Sequence, residues 1–272
     1  MGDDLTKAVR ELLAFYVEAG VDACLGDVPA DHAANGQGRE PDVRERPQPA
    51  APAPSSPPRP PPEPTRPLSP DTAVMAARQA AKSAANLDEL RRILEGFEGC
   101  VLKQTAKKLV FADGNPQARI MFVGEAPGRE EDLEGLPFVG RSGQLLDRMM
   151  AAIGLDRKSA YIANIIPWRP PGNRTPTPQE AAICLPFISR QIELSQADIL
   201  VCLGGPSAQA LLGAKEGILK TRGRWFAYLA GAREIRAIAT LHPAYLLRQP
   251  LQKRLAWRDL LMLKKALEPA PT

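Results

Sequence analysis

The segment Arg119–Gly128, RIMFVGEAPG, decides the fold class of this 272-residue chain. Its first half, Arg119–Val123, is a short apolar run typical of a strand buried in a parallel sheet, and a glycine-rich turn follows directly at Gly124. Similar apolar runs recur along the chain with helical stretches between them. This alternation predicts a central parallel sheet with helices on both faces.

Three more strands and several helices complete the pattern. The predicted strands are Arg119–Val123, Ala160–Ile166, Ile199–Leu203 and Glu234–Leu241, and the predicted helices are Gly143–Ile153, Pro178–Leu194, Pro206–Leu212 and Leu251–Leu267. We therefore expect residues 71–272 to form a three-layer α/β/α sandwich around a mostly parallel, four-stranded sheet. In such sheets, ligands bind in the loops after the carboxyl ends of the strands, so these loops hold the candidate site.

The first seventy residues differ from this domain in composition. Residues 3–19 place apolar side chains at helical spacing, which predicts an amphipathic helix within an N-terminal region of residues 1–34. Between Pro41 and Pro70 there are 13 prolines in 30 residues, so residues 35–70 are predicted to form a disordered, proline-rich linker. The helix could pack on its own domain, bind a protein partner, or form only transiently.

The charges separate the same two parts. Residues 1–83 contain 9 Lys+Arg and 12 Asp+Glu, whereas residues 84–272 contain 26 and 19. A basic globular part suits an anionic partner such as nucleic acid. No apolar stretch approaches the roughly 20 residues of a membrane span, and four cysteines without a CxxC pair indicate reduced thiols. We therefore expect a cytoplasmic, monomeric protein without membrane association.

The loops after the strands contain candidate functional side chains. Glu125 directly follows the first strand and could orient a water molecule, or it could be a helix-capping or solvated acid. Asn164 lies near the end of the second strand, where its amide could read a base edge or simply tie down a loop. His242 follows the fourth strand and is the sole histidine of the predicted domain, which makes it a candidate catalytic group.

Basic and apolar side chains beside these positions are suited to DNA. Arg169, Asn173 and Arg174 lie in a proline-stiffened loop and could contact phosphates. The stretch Tyr245–Arg248, YLLR, places apolar side chains beside a cation, a composition suited to insertion into a duplex.

Together these motifs resemble the family 4 uracil-DNA glycosylases over about residues 86–268. Five motifs agree in order and spacing: GEAPGREEDLEGLPFVGRSGQLLD, NIIPWRPPGNRTPTPQEAAIC, ILVCLGGPSAQALLG, KTRGRW and HPAYLLR. The resemblance implies a DNA-repair enzyme that flips uracil out of DNA and hydrolyses its N-glycosidic bond, leaving an abasic site. A non-hydrolytic uracil-DNA binding protein and a DNA-docking scaffold are the alternatives.

The resemblance also implies a role for each site residue. Glu125, Asn173 and His242 would be catalytic, with His242 donating a hydrogen bond to a uracil carbonyl. Phe138 would stack on the base and Asn164 would read it. The implied substrate-binding residues are Ala126, Glu131, Phe138 and Asn164, with Glu131 the candidate to exclude thymine. The implied DNA contacts are Arg169, Arg174, Tyr245, Leu246, Leu247 and Arg248, of which the last three would fill the hole left in the duplex.

The chain departs from that family at its iron–sulfur ligands. The family holds a 4Fe–4S cluster with four cysteines, and only Cys100 and Cys184 match those positions here. Lys103 replaces the second ligand and Trp168 the third. Two thiolates do not hold such a cluster, so we expect that it has been lost and that no metal or other cofactor is bound. Trp168 and neighbouring apolar groups are then expected to fill its space.

Overall fold

The computed structural model describes residues 70–268. None of the helices in this range is both long and apolar enough to cross a membrane. The predicted N-terminal helix and residues 35–69 of the predicted linker lie outside the described residues. Pro70, the last residue assigned to that linker, begins the first helix.

The described chain forms ten α-helices and six strands. The helices are α1 (Pro70–Ser83), α2 (Leu87–Gly96), α3 (Leu102–Thr105), α4 (Arg129–Glu134), α5 (Arg141–Ala151), α6 (Pro178–Leu194), α7 (Gly205–Leu212), α8 (Ile218–Thr221), α9 (Pro243–Arg248) and α10 (Lys253–Leu267). The strands are β1 (Asp113–Gly114), β2 (Ile120–Gly124), β3 (Tyr161–Asn164), β4 (Ile199–Leu203), β5 (Trp225–Ala230) and β6 (Arg233–Thr240). Short 3₁₀ turns, Pro171–Asn173 and Pro250–Gln252, precede α6 and α10.

All six strands belong to one mixed sheet with the order β1-β3-β2-β4-β6-β5. The four predicted strands are its central members and run parallel to one another. The prediction of a four-stranded sheet is wrong, because an antiparallel strand is added at each edge: β1 pairs with β3, and β5 pairs with β6.

Of the two missed strands, β1 is too short to give a signal, whereas β5 (WFAYLA) is an apolar run followed by a glycine and was overlooked. β1 has only two residues, and β5 is partly exposed along most of its length, whereas β2 and β4 are buried at every position. Only Gly231 and Ala232 connect β5 to β6, so the two strands must be antiparallel. Gly231 supplies the positive φ of +63° that this tight turn uses.

Helices cover both faces of the sheet, and the strands divide the core between them. Met121 and Val123 of β2 belong to the apolar cluster that includes α1, α2 and α6. Ile120 and Phe122 belong to the cluster that includes α5 and α10. This division follows from the two-residue period of a strand, which sends successive side chains to opposite faces. The continuous apolar runs of the sequence therefore correspond to strands buried on both faces.

The start of α6 follows from its sequence. Thr177 Oγ1 accepts from the backbone N–H of Glu180 at 3.2 Å, and Glu180 Oε2 accepts from the backbone N–H of Thr177 at 2.7 Å. Pro178 occupies the first helical position, where its missing N–H costs nothing. This reciprocal cap fixes the helix end beside the loop that carries the predicted phosphate contacts.

Candidate active site

A cavity of about 560 Å³ lies at the carboxyl ends of the parallel strands. Each of the four strand ends contributes to its lining: Glu125 follows β2, Asn164 ends β3, Gly204 follows β4, and His242 follows β6. The volume is within the range of small-molecule pockets. The structure therefore brings together the three residues that the sequence singled out after three separate strands.

Gly124 allows two of the predicted base-recognition residues to lie against the strand end. A Cβ atom at this position would be 2.4 Å from Asn164 Oδ1 and 2.6 Å from the ring of Phe138. Only glycine permits this approach without displacing both side chains. The ring of Phe138 also lies beside the imidazole of His242, with 5.6 Å between the ring centroids. Phe138, Asn164 and His242 thus share one wall of the cavity.

Asn164 Oδ1 is a buried acceptor that lacks a partner. Among the described residues, it is the one buried side-chain oxygen or nitrogen without a hydrogen bond. Leaving such an atom unpaired costs about 1–3 kcal/mol. Since Asn164 lines the cavity, a ligand with an N–H group would satisfy this acceptor.

His242 presents a hydrogen-bond donor. Its Nδ1 accepts from the backbone N–H of Ala244 at 3.1 Å, which makes His242 the N-cap of α9. Burial lowers the pKa of His242 to about 4, and the positive charge of Arg248 acts in the same direction. The imidazole is therefore neutral at pH 7. Because Nδ1 is the acceptor, the proton is on Nε2, which is left to donate to a ligand.

Glu125 is one of two carboxylates that line the cavity; the other is Glu131. The side chain of Glu125 is half-buried, and burial raises its pKa above the ordinary value. A carboxylate with a raised pKa takes up a proton more readily, as a general base requires. Ala126, the neighbouring residue, is also half-buried and lines the same cavity.

Glu131 lines the cavity and also fixes the backbone around it. Its Oε1 accepts from the backbone N–H groups of Val139 and Gly140, and its Oε2 accepts from that of Gly128, each at 3.0 Å. The carboxylate is buried and joins the two ends of the segment between β2 and α5. The predicted contact of Glu131 with the base and its part in excluding thymine stay predictions.

Arg157 holds Phe138 in an unusual backbone conformation and was missed by the sequence reasoning. Phe138 has φ +55°, which costs a non-glycine residue about 1–3 kcal/mol. The guanidinium of Arg157 donates to the carbonyl oxygens of Phe138 and, at 3.2 Å, Pro137. It also pairs with Asp113 and, at 2.9 Å, with Asp147. No motif points to Arg157, because its partners are scattered along the chain and meet only in the fold.

The loop after β3 forms the rim of the cavity. Arg169 donates through Nε to Asn173 Oδ1 at 2.7 Å, and its Nη1 lies 4.0 Å from Asp132 Oδ2. Through these contacts Arg169 orients the exposed amide of Asn173. Arg174 makes two hydrogen bonds to Glu180, at 2.6 and 2.8 Å, and remains partly exposed at the rim.

Helix α9 divides its predicted DNA contacts between core and surface. Leu246 is only 1% exposed and belongs to the same apolar cluster as α5 and α10, so it cannot enter a duplex without leaving the core. Leu247 is 37% exposed and Arg248 is exposed beside the cavity. Tyr245 is half-buried in the cavity wall. Of the three residues predicted to fill the duplex, Leu247 and Arg248 are thus exposed and Leu246 is buried, and the insertion itself stays a prediction.

The cysteines that match the family's cluster ligands lie together. The Sγ atoms of Cys100 and Cys184 are 4.0 Å apart, and both side chains are buried. Lys103 forms an ion pair with Glu98, and Trp168 is buried in the same apolar cluster as the two cysteines. Within residues 70–268, no group of three or more His, Cys, Asp or Glu side chains is placed to hold a metal ion. This set of donors does not fit a 4Fe–4S cluster.

The fold is α/β, and its cavity is lined by a neutral imidazole donor and an unpaired amide acceptor. The model of the Uracil DNA glycosylase superfamily matches residues 111–261, more than half of the chain. The chain belongs to this superfamily, and the relatives described next place it with the type-4 enzymes.

Three relatives named Type-4 uracil-DNA glycosylase resemble this chain over most of their own length. The protein from Archaeoglobus fulgidus is 40% identical over 61% of this chain and 85% of its own. The protein from Thermotoga maritima is 44% identical over 55% of this chain and 77% of its own. The protein from Saccharolobus solfataricus is 37% identical over 68% of this chain and 88% of its own.

The lowered pKa of His242 gives a prediction for titration of the folded protein. We expect the His242 imidazole to titrate near pH 4, and its ¹⁵N shifts at pH 7 to show a proton on Nε2. A His32→Gln variant leaves His242 as the sole histidine and makes the assignment unambiguous. NMR across pH 3.5–8, a window set around the ordinary and folded pKa values, is the measurement.

The same shift links His242 to acid stability. The unfolded state takes up its proton near the ordinary pKa of 6.5, and the folded state only near 4. The stabilisation from this difference is present above pH 6.5 and is lost as the pH falls towards 4. A titration midpoint at or above 6.5 would contradict the assignment of a neutral, buried imidazole.

Proposed function

We propose that this protein is a uracil-DNA glycosylase that releases free uracil from DNA and leaves an abasic site. The type-4 relatives support this function, and one structural observation carries it. The unpaired Oδ1 of Asn164 lies in a cavity that also contains the Nε2–H of His242. Uracil provides the complementary pair, since its N3–H donates and its carbonyl oxygens accept.

The same pair of contacts discriminates against cytosine. The N3 atom of cytosine is an acceptor, so it would face Asn164 Oδ1 without a proton between them. The buried oxygen would then remain unpaired, a penalty that supports strong discrimination by a polar site. Phe138, whose ring lies against Gly124 and beside the imidazole of His242, is placed to stack on the base.

The residues of the cavity suit hydrolysis of the glycosidic bond. When the bond between N1 of uracil and C1′ of the sugar breaks, its electron pair leaves with the base, and negative charge develops on the uracil oxygens. The Nε2–H of His242 donates to that charge, and a neutral donor aimed at it in advance needs no reorganisation. Glu125 opposes the positive charge on the sugar and accepts a proton from the water whose oxygen attacks C1′. Asn173, at the rim, would help to position this water.

DNA would approach over the exposed side of α9. Leu247 and Arg248 protrude there, and a second cavity of about 500 Å³ beside them is lined by Arg129 and Arg141 as well as Arg248. Cations in this arrangement suit the phosphates on either side of the flipped nucleotide. Extrusion of the base costs a few kcal/mol, and filling the hole with Leu247 and Arg248 offsets part of that cost.

Loss of the His242 donor tests the proposed reaction. We expect His242→Ala to lower the rate of uracil release by about 10²–10³, because one preorganised donor to the developing anion is removed. The matched control is His32→Ala, which changes the one other histidine of the chain and should release uracil at the wild-type rate. The measurement is free uracil formed under multiple-turnover conditions from duplex DNA with a single G·U pair.

The outcomes separate the proposed enzyme from the alternatives. A wild-type protein that stays attached to DNA on a denaturing gel, without turnover, would indicate a uracil-DNA binding protein. Wild-type protein that binds DNA and releases no uracil would indicate a scaffold. Full activity of His242→Ala would contradict the role assigned to His242.

Arg157 is expected to control the rate through Phe138. Replacement by lysine retains the positive charge but removes the planar group that reaches two carbonyls and two carboxylates at once. We expect Arg157→Lys to lower kcat about tenfold or more, because Phe138 loses the contacts that hold its strained backbone. Arg119→Lys is the control, since Arg119 forms an exposed ion pair with Asp198 and should leave kcat unchanged.

A structural role alone would reduce the amount of active Arg157→Lys protein without changing the rate for each active site. Titration of active sites with single-turnover kinetics distinguishes the two. An unchanged single-turnover rate would therefore exclude the positioning role of Arg157.

We also propose that the enzyme works without an iron–sulfur cluster. The support comes from the donor set: only Cys100 and Cys184 match ligand positions, and Trp168 and Lys103 replace two others. We expect anaerobically purified protein to contain less than about one tenth of an iron atom per chain, far below the four of a cubane cluster. Stoichiometric iron and acid-labile sulfide, with absorbance in the visible region, would refute this proposal.

Three further predictions concern the whole chain. They are a monomeric state, a cytoplasmic location and a protein partner for residues 3–19. They stay predictions, because the structure of residues 70–268 does not test them.

A further inference from the structure

The proposed reaction leaves one close pair of reactive side chains unused. Cys100 directly precedes the turn into α3, and Cys184 lies within α6, so 84 positions of sequence separate them. Their sulfur atoms are nevertheless 4.0 Å apart, and the Cys184 thiol points its proton at the Cys100 sulfur. Both side chains are at most 1% exposed. The fold has brought two thiols into contact at a place where no metal-binding set accompanies them among the described residues.

We propose that Cys100 and Cys184 form a reversible disulfide bond when the protein reacts with a hydroperoxide. A disulfide requires about 2.05 Å between its sulfur atoms, so the two sulfurs must approach by about 2 Å. Rotation of the two side chains about χ1 is the movement by which the sulfur atoms would approach.

Cys100 is the attacking sulfur because it is the hydrogen-bond acceptor of the pair. The Cys184 thiol donates its hydrogen to Cys100 Sγ, and the backbone N–H groups of Leu102 and Lys103 also donate to the Cys100 sulfur. Donors directed at one sulfur stabilise its thiolate, while the Cys184 sulfur keeps the hydrogen that it donates.

The chemistry balances with one hydroperoxide for each disulfide. The Cys100 thiolate attacks an oxygen of the hydroperoxide, the O–O bond breaks, and with one proton taken up the products are a sulfenic acid and water or an alcohol. The Cys184 sulfur then attacks the Cys100 sulfur, the S–O bond breaks, and water leaves with the proton of the Cys184 thiol. The two thiols together lose two electrons, which the hydroperoxide accepts. Thiols such as glutathione reverse the reaction by exchange.

The position of the Cys100–Cys184 disulfide in the fold gives it an effect on stability. It would tie the segment before α3 to α6, whose first turn contains Glu180, the partner of Arg174 at the cavity rim. A cross-link between residues far apart in sequence restricts the unfolded chain more than a local one does, so it stabilises the folded state. The disulfide would join Cys100 and Cys184 covalently. In the family that this chain resembles, the cysteines at these positions are joined through the iron–sulfur cluster.

Cys202 is a third buried cysteine, and it can be compared with the proposed pair. It is also buried, in the middle of the sheet on β4, but burial raises its pKa and it has no thiol partner within the described residues. It should therefore react neither as nucleophile nor as resolving thiol. Replacement of Cys202 by alanine leaves the proposed pair intact and serves as the matched control.

The test uses the reduced full-length chain, treated with a small excess of hydrogen peroxide and then quenched with an alkylating reagent. After alkylation under denaturing conditions, we expect the oxidised chain to carry two alkyl groups fewer than the reduced control, and a non-reducing peptide map to join the Cys100 and Cys184 peptides. The midpoint of thermal unfolding should rise by roughly 5–10 °C and return to its original value after dithiothreitol treatment. Cys202→Ala should behave like the wild type, and Cys184→Ala should show neither effect.

Several results would overturn the proposal. They are a cross-link that includes Cys24 or Cys202, oxidation of Cys100 to sulfinic acid without a cross-link, and thiols that hydrogen peroxide leaves unchanged in the folded protein. Recovery of stoichiometric iron and sulfide would assign both thiols to a cluster and overturn it too. These readouts are masses and unfolding temperatures, so they hold whether or not the protein releases uracil.

Discussion

The parallel pairing of β2 with its two neighbours is the constraint on which the site depends. β2 lies between β3 and β4 and is buried throughout, and its register places Gly124 opposite Asn164. Since parallel strands end at the same edge of a sheet, this register brings the loops that line the cavity together. A one-residue slip of β3 would send Asn164 to the opposite face, and a slip of β2 would move Phe122 to the other apolar layer. The apolar core and the active cavity are therefore set by the same alignment.

Hydrogen bonds and ion pairs hold the loops of the site in place. Glu131 joins the two ends of one loop through three backbone hydrogen bonds, and Arg157 holds the backbone of Phe138 in a conformation that it would otherwise avoid. His242 is fixed by its cap on α9 and kept neutral by burial. One polar atom, Asn164 Oδ1, remains unpaired. Because folding already fixes these polar groups in place, they need little reorganisation when charge develops on the base.

Much of this could be predicted because the signals are local. An apolar run followed by a glycine turn identifies a buried strand, so all four parallel strands and the residues after them were found: Glu125, Asn164 and His242. β5 was missed although Trp225–Ala230 (WFAYLA) is an apolar run followed by Gly231, so its sequence did carry a strand signal. Arg157 was missed for another reason. Its hydrogen-bond and ion-pair partners lie far from it in the sequence and contact it only in the folded protein. Leu246 and Leu247 are adjacent and alike in sequence, and only the orientation of α9 decides which one is buried.

The sequence by itself determined the class of fold, the order of the strands along the chain, the family and the residues after each strand, because periodicity and motifs are properties of neighbouring residues. It also shows Lys103 and Trp168 where the resemblance implies two of the four cluster cysteines. Only the tertiary structure decided how the separated segments meet. It placed the two remaining thiols 4.0 Å apart, left Asn164 Oδ1 unpaired and gave Glu131 its three backbone partners. Distance, burial and hydrogen bonding depend on segments far apart in the chain, so no local pattern specifies them.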